Sequence, residues 1–196
     1  NNFDPVAFNF FAFEIRWYSL SYIFGILLGW FYCKNFLIKD KNISTLFDDL
    51  ITYLIIGIVL GGRIGYILFY NLKYYFNNLY EIFFIWQGGM SFHGGLIGIF
   101  IATYLFSKKH KINKYVFLDL ISISAPIGIF LGRIANFING ELIGKPTNGN
   151  WGVVFTEIDN VPRHPSQLYE CILEGIILFI LLNLIFFKKN YKIGTT

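Results

Sequence analysis

Charge is scarce in this sequence. Only 14% of its 196 residues are Asp, Glu, Lys or Arg, against about 25% in ordinary soluble domains, which excludes a fold that must wet its whole surface. Cysteine is scarcer still: Cys33 and Cys171 are the only two, they lie in different apolar segments, and no metal or redox spacing joins them, so no cysteine chemistry is expected. No metal-ligand cluster and no glycine-rich nucleotide loop is present, and neither a metal nor another cofactor is expected. Of the five prolines, only Pro126 interrupts a long apolar run. No short apolar run with a small-residue cleavage site precedes the first long segment, so a removed signal peptide is not expected. The sequence starts with Asn1 rather than Met, and its natural start is expected upstream.

What fills the chain instead is apolar: 55% hydrophobic and 20% aromatic residues. Several segments approach the roughly 20 apolar residues that cross a bilayer. The expected fold is all-α, a polytopic helical membrane bundle forming one membrane domain over 1–196, with five spans at about 15–33, 50–70, 90–106, 115–139 and 167–187. Residues 1–14 (Phe3, Phe8, Phe10, Phe11 and Phe13, with Pro5 breaking the start) read as an arm in the membrane interface. The longest connection, 140–166, reads as a small extracytoplasmic cap with a strand-like run at 151–156. Ser21, Gly25 and Gly29, then Gly57, Gly61 and Gly65, then Gly94, Gly98 and Ala102 step by four, a spacing that lets helix backbones approach closely. Pro126 is expected to kink the fourth span.

The net charge of +4 and pI near 9.0 would fit a nucleic-acid partner if the basic residues formed a patch. They do not. Lysines 34, 39, 41, 108, 109, 111, 114, 188, 189 and 192 fall after spans one, three and five, against Lys73, Lys145 and Arg163 on the other side. That bias places the N-terminus outside and the C-terminus inside; no nucleic acid is expected.

With that orientation Tyr18, Arg63, His93, Arg133 and Glu170 all fall in the outer third of the bilayer, where headgroups meet acyl chains. The stretch from Gly128 to Gly144 is the densest: Arg133, Asn136 and Gly140 share about a 60° arc of one helix face, with Asn139, Glu141 and Gly144 following. A guanidinium in a span costs at least about 2.5–3.5 kcal/mol and by default marks a functional cavity. The alternative for Asn136 and Asn139 is interhelical packing. Arg63, about 10 Å from its helix end by helical rise, has snorkelling as its alternative. His93 has a merely hydrogen-bonded ring as its own. Gln167, Glu170 and Glu174 share a face of the last span, and like charges at this spacing repel unless one is protonated or a cation such as Arg133 or Arg63 lies between the helices.

These residues resemble the prolipoprotein diacylglyceryl transferases of bacterial inner membranes. The matching stretches are Phe3-Asp4-Pro5-Val6, Trp17-Tyr18, Gly61 to Tyr66, Gly88 to Gly98, Gly132 to Gly144 and Arg163 to Glu170. The resemblance implies transfer of the diacylglyceryl group of phosphatidylglycerol to the thiol of the lipobox cysteine in a prolipoprotein signal peptide, at the outer leaflet. The products are a thioether and glycerol phosphate. The partners are then phosphatidylglycerol, the prolipoprotein and membrane lipids. It maps important residues onto Tyr18, His93, Arg133, Asn136, Glu141, Gly144 and Glu170. The chemistry agrees: a thiol of pKa about 8.5 needs a base, and an imidazole of ordinary pKa about 6.5 suits. An Arg fork holds phosphate oxygens. Catalytic roles are thus expected of His93, Arg133, Glu141 and Glu170, and substrate binding of Tyr18, Arg63, Asn136, Asn139 and Gly144. Glu141 and Glu170 either orient the cations or share the proton. Relatives often carry a histidine near the tryptophan where Ile15-Arg16 stand. The family has seven spans and a further tyrosine–arginine–glutamate motif, neither found within these residues, so residues 1–196 alone are expected to transfer little. A transporter or a non-catalytic lipid-binding protein is the alternative; a transporter would carry polar residues through both leaflets, whereas here Asp119 is nearly alone in the inner half.

Overall fold

In the computed structural model, residues 3–10, 13–188 and 191–196 are described; Phe11 of the arm and Lys189 of the basic set lie outside them. The chain divides into two compact units, Asn1–Leu37 with Asp119–Thr196, and Ile38–Leu118.

The first unit opens with a β-hairpin. Strand β1 (Val6–Phe10) pairs antiparallel with β2 (Phe13–Arg16), Phe8 opposite Ile15 and Asn9 opposite Glu14, with a register shift between Val6 and Phe8. Aromatic and β-branched residues suit a pleated surface, so Phe13–Arg16 joins the arm and the first span starts later than expected. Helix α1 (Trp17–Tyr32) follows and continues as a π-helical turn, Cys33–Leu37.

Helix α5 (Lys114–Asn139) starts in the second unit and runs through Pro126 into the first. The last rod is α6 (Ser166–Glu170), a π-helical segment Cys171–Ile177, and α7 (Leu178–Phe186). Small residues set these packings. A Cβ on Gly25 would stand 3.0 Å from the Gly128 Cα, and one on Gly175 would stand 2.8 Å from the Phe130 Cβ. The cap between α5 and α6 carries a two-residue ladder, β3 (Val153–Val154) against β4 (Pro162–Arg163), narrower than the run 151–156.

The second unit is built on α2 (Lys41–Tyr70) and α4 (Phe92–His110). The expected second span began at 50; the helix begins nine residues earlier because Asp40 caps it, its Oδ1 accepting from the N–H of Asn42 (2.7 Å) and Ile43 (3.1 Å). Helix α4 starts behind the Ser91 cap and runs on through Lys108 and Lys109 to His110, past the end expected at 106. The two helices meet backbone to backbone: a Cβ on Gly57, Gly61 or Gly65 would lie 2.3–2.8 Å from backbone atoms of Gly94 or Gly98. Between them, α3 (Leu72–Asn77) and two 3₁₀ turns, Leu79–Phe83 and Ile85–Gln87, form the connector.

Among the described residues four helical stretches are long and apolar enough to cross a membrane: Trp17–Leu37, Lys41–Tyr70, Lys114–Asn139 and Ser166–Phe186. The third of the five expected spans, α4, has 19 residues, about 28 Å by helical rise, but its glycines and its Ser107-Lys108-Lys109-His110 end keep it out of this set. The result is an all-α membrane protein with two small hairpins.

Candidate active site

Helix α5 brings the cluster together, because Arg133 and Asn136 sit three residues apart on one face just before its end. The two carboxylates on the last rod meet Arg133. Its Nη1 lies 2.9 Å from Glu170 Oε2 and its Nη2 lies 3.1 Å from Glu174 Oε2, with the arginine side chain 25% exposed. A single guanidinium between two carboxylates resolves the like-charge spacing seen in the sequence and leaves one excess negative charge. Of the two cations the sequence offered, the structure uses Arg133.

One turn further along, the buried Asn136 donates its amide to Glu141 Oε2 (2.9 Å), and Asn139 donates to Glu141 Oε1 (3.3 Å). The Glu141 backbone N–H donates to the Asn136 carbonyl (2.9 Å), and Gln167, fully buried, donates its side-chain amide to the Glu141 carbonyl (2.5 Å). Glu141 is thus fixed at both carboxylate oxygens and at its backbone. Gln167 and Glu174 were not singled out as site residues; their signal was the face they share with Glu170. Tyr18, on the first turn of α1, is within Coulombic reach of Glu141 and Arg133, and its hydroxyl is 3.1 Å from that of Tyr22.

Gly144 is a glycine for want of space. A Cβ there would lie 2.4 Å from the His164 carbonyl oxygen, since the His164 N–H donates to the neighbouring Lys145 carbonyl (3.0 Å). The turn before it places Gly140 at φ +67° and Leu142 at φ +53°, a region a branched side chain occupies at a cost. Arg163 closes the cap: it pairs with Asp159 (2.5 Å) and donates to the Gly144 carbonyl (3.3 Å). The Arg163 guanidinium, with the Val161 N–H, holds the Asp159 carboxyl below its ordinary range.

Asp119, expected in the inner half of the bilayer, is also accounted for. Buried, it accepts from the Tyr191 hydroxyl, from the Gly194 N–H (2.6 Å) and from the Thr196 N–H (3.3 Å).

The second unit holds the two other expected site residues. His93, in the first turn of α4, is exposed, its ring edge-on to Phe92. Arg63 is 4% exposed and does not snorkel. Its Nε donates to the Ile82 carbonyl (2.9 Å), Nη1 to those of Gly88 (2.6 Å) and Gly89 (3.3 Å), and Nη2 to that of Glu81 (2.7 Å).

A family model described as "Prolipoprotein diacylglyceryl transferase" matches residues 5–196. Among similar proteins, one from Rickettsia canadensis is 52% identical over 191 residues, one from Rickettsia felis 51% and one from Rickettsia typhi 53%. Each alignment covers 96% of this chain and 74% of the relative, and each relative is named phosphatidylglycerol–prolipoprotein diacylglyceryl transferase. Matched from its fifth residue to its last, and half identical to proteins of that name, the chain belongs to the prolipoprotein diacylglyceryl transferase family.

Proposed function

We propose that this protein transfers the diacylglyceryl group of phosphatidylglycerol to the lipobox cysteine of a prolipoprotein in the bacterial inner membrane, crossing it several times with its reactive groups toward the outer leaflet. The observation that carries this reading is Arg133, whose two terminal nitrogens already hold carboxylate oxygens at 2.9 and 3.1 Å. These are single oxygens of two different carboxylates, and a guanidinium fork open to two anionic oxygens at once can take both from one phosphate.

In the reaction the thiolate sulfur attacks the glyceryl carbon bonded to the phosphate ester oxygen. A carbon–sulfur bond forms, the carbon–oxygen bond breaks, and its electron pair leaves on glycerol phosphate. Charge therefore grows at the phosphate, and Arg133 is the group we assign to it; a preorganised donor of this kind contributes about 10²–10³ in rate. Glu170 and Glu174 hold the guanidinium until phosphate exchanges with one of them. Asn136 and Asn139 fix Glu141, and Tyr18 completes the polar lining. His93 is assigned the thiol proton. Gly144 keeps the cap close to the cluster by letting the backbone of His164 approach.

Arg133→Lys tests the assignment. It keeps the charge and loses the fork, so a correctly inserted variant of the full chain should lose most transfer, by about 10²-fold, with its melting temperature little changed. Near-normal transfer would remove Arg133 from phosphate recognition.

A further inference from the structure

The connector between α2 and α4 has little to hold it. Its helical pieces are a six-residue helix and two 3₁₀ turns, and Phe76, Phe83 and Trp86 on it are each more than 70% exposed. Its most extensive hydrogen-bonded tie to α2 is Arg63. All three guanidinium nitrogens donate, to the carbonyls of Glu81, Ile82, Gly88 and Gly89, and the Tyr75 ring lies 5.1 Å away. Glu81 gives only its backbone carbonyl to this arginine; its carboxylate accepts from the Tyr74 hydroxyl (2.6 Å).

Gly88 and Gly89 stand at φ +86° and +79°, where glycine alone is at ease. A Cβ on Gly89 would lie 2.5 Å from the Tyr66 ring and 3.0 Å from Arg63 Nη1, so the turn is packed directly on the guanidinium. Beyond the turn, the Ser91 N–H donates to the carbonyl of Gly62 (2.9 Å), the neighbour of Arg63, and the Ser91 hydroxyl caps α4 at the Gly94 N–H (3.2 Å). His93 is two residues further on. The stretch 88–91 is thus bolted to α2 at both ends, and with it the first turn of α4.

We propose that Arg63 is a positioning residue that sets His93 through the Gly88–Ser91 turn and does not itself touch substrate. The inference rests on the reading above that His93 takes the thiol proton. A proton acceptor must sit within hydrogen-bond reach of the thiol, and a misplacement of about 1 Å can cost about 10² in rate. A lysine at position 63 carries the charge but cannot span two pairs of carbonyls.

The test is a double-mutant cycle on the full chain in membrane vesicles, with initial rates of thioether formation followed across pH. His93→Gln should slow transfer by about 10²-fold or more and flatten the limb of the pH profile that reports a base. Arg63→Lys should slow it about tenfold or more with the same change of profile, while R63K with H93Q should match H93Q within about twofold. Losses that multiply, or an R63K profile merely scaled down, would overturn the positioning role and leave Arg63 as a folding residue. Should R63K fail to insert, Gly89→Ala strains the same turn and carries the same expectations. An H93Q protein as fast as the parent would instead overturn the assignment of His93, and the inference with it.

Discussion

Replacing Gly98 by alanine is the sharpest perturbation of the second unit. The added Cβ would stand 1.9 Å from the Gly57 carbonyl oxygen, 2.6 Å from its carbon and 3.3 Å from the Gly61 Cα. Carbon and oxygen ordinarily approach no closer than about 3.3 Å, so α2 and α4 must part by about 1.5 Å. No flexible side chain is available to move aside, because the obstructing atoms are backbone. Overpacking of this kind costs about 1–3 kcal/mol, and the better helix propensity of alanine returns at most about 1 kcal/mol. A net loss of about 2 kcal/mol corresponds to a fall of about 4–8 °C in melting temperature for a chain of this size. Gly128 supplies the control: a Cβ there meets nothing within 4 Å, so Gly128→Ala should be neutral or slightly stabilising. The assay is thermal unfolding in one detergent for both variants and the parent. Equal melting temperatures for G98A and the parent, or an equal fall in G98A and G128A, would refute the glycine contact as the basis of this packing.

In a background lacking Cys33 and Cys171, single cysteines at Lys108 and Asn148, both exposed, should differ in labelling by a membrane-impermeant reagent in intact cells, Asn148 reacting and Lys108 not; equal labelling contradicts the orientation. Gly144→Ala places a Cβ 2.4 Å from the His164 carbonyl oxygen and should destabilise the cap by about 1–3 kcal/mol, seen as faster protease cleavage within 140–166; unchanged cleavage contradicts the close approach. Because the Asp159 carboxyl is held below its ordinary value of 3.8 by Arg163, its contribution is fully present above that pH and is lost as pH falls through the lower folded value. The cap should therefore resist proteolysis down to about pH 4, and Asp159→Asn should remove the pH dependence below that; opening at pH 5–6 contradicts the pairing.

Four of the five expected spans were legible because a bilayer demands long apolar helices whatever their neighbours do. The glycine stripes were legible for a related reason, since a residue without a side chain in a span has few uses other than close approach. The carboxylate pair Glu170 and Glu174 announced a cation, and the structure supplies Arg133. Other features depend on distant atoms. Arg63 is indistinguishable in sequence from a substrate-binding arginine, and only the fold brings Ile82, Gly88 and Gly89 to it. The Asp40 cap turns a charged link into helix, against its polarity. The two π-helical segments and the N-terminal hairpin have no clear signal in residue periodicity, since each covers only a handful of residues.

Headgroup dependence tests the functional account most directly. The protein is given a peptide with a lipobox cysteine in vesicles of phosphatidylglycerol or of phosphatidylethanolamine, and products are read by mass spectrometry. The account predicts a peptide carrying a diacylglyceryl thioether, with one glycerol phosphate released per thioether, in phosphatidylglycerol vesicles, and little product in phosphatidylethanolamine. No thioether in phosphatidylglycerol, or thioether in equal amount from both lipids, would contradict it.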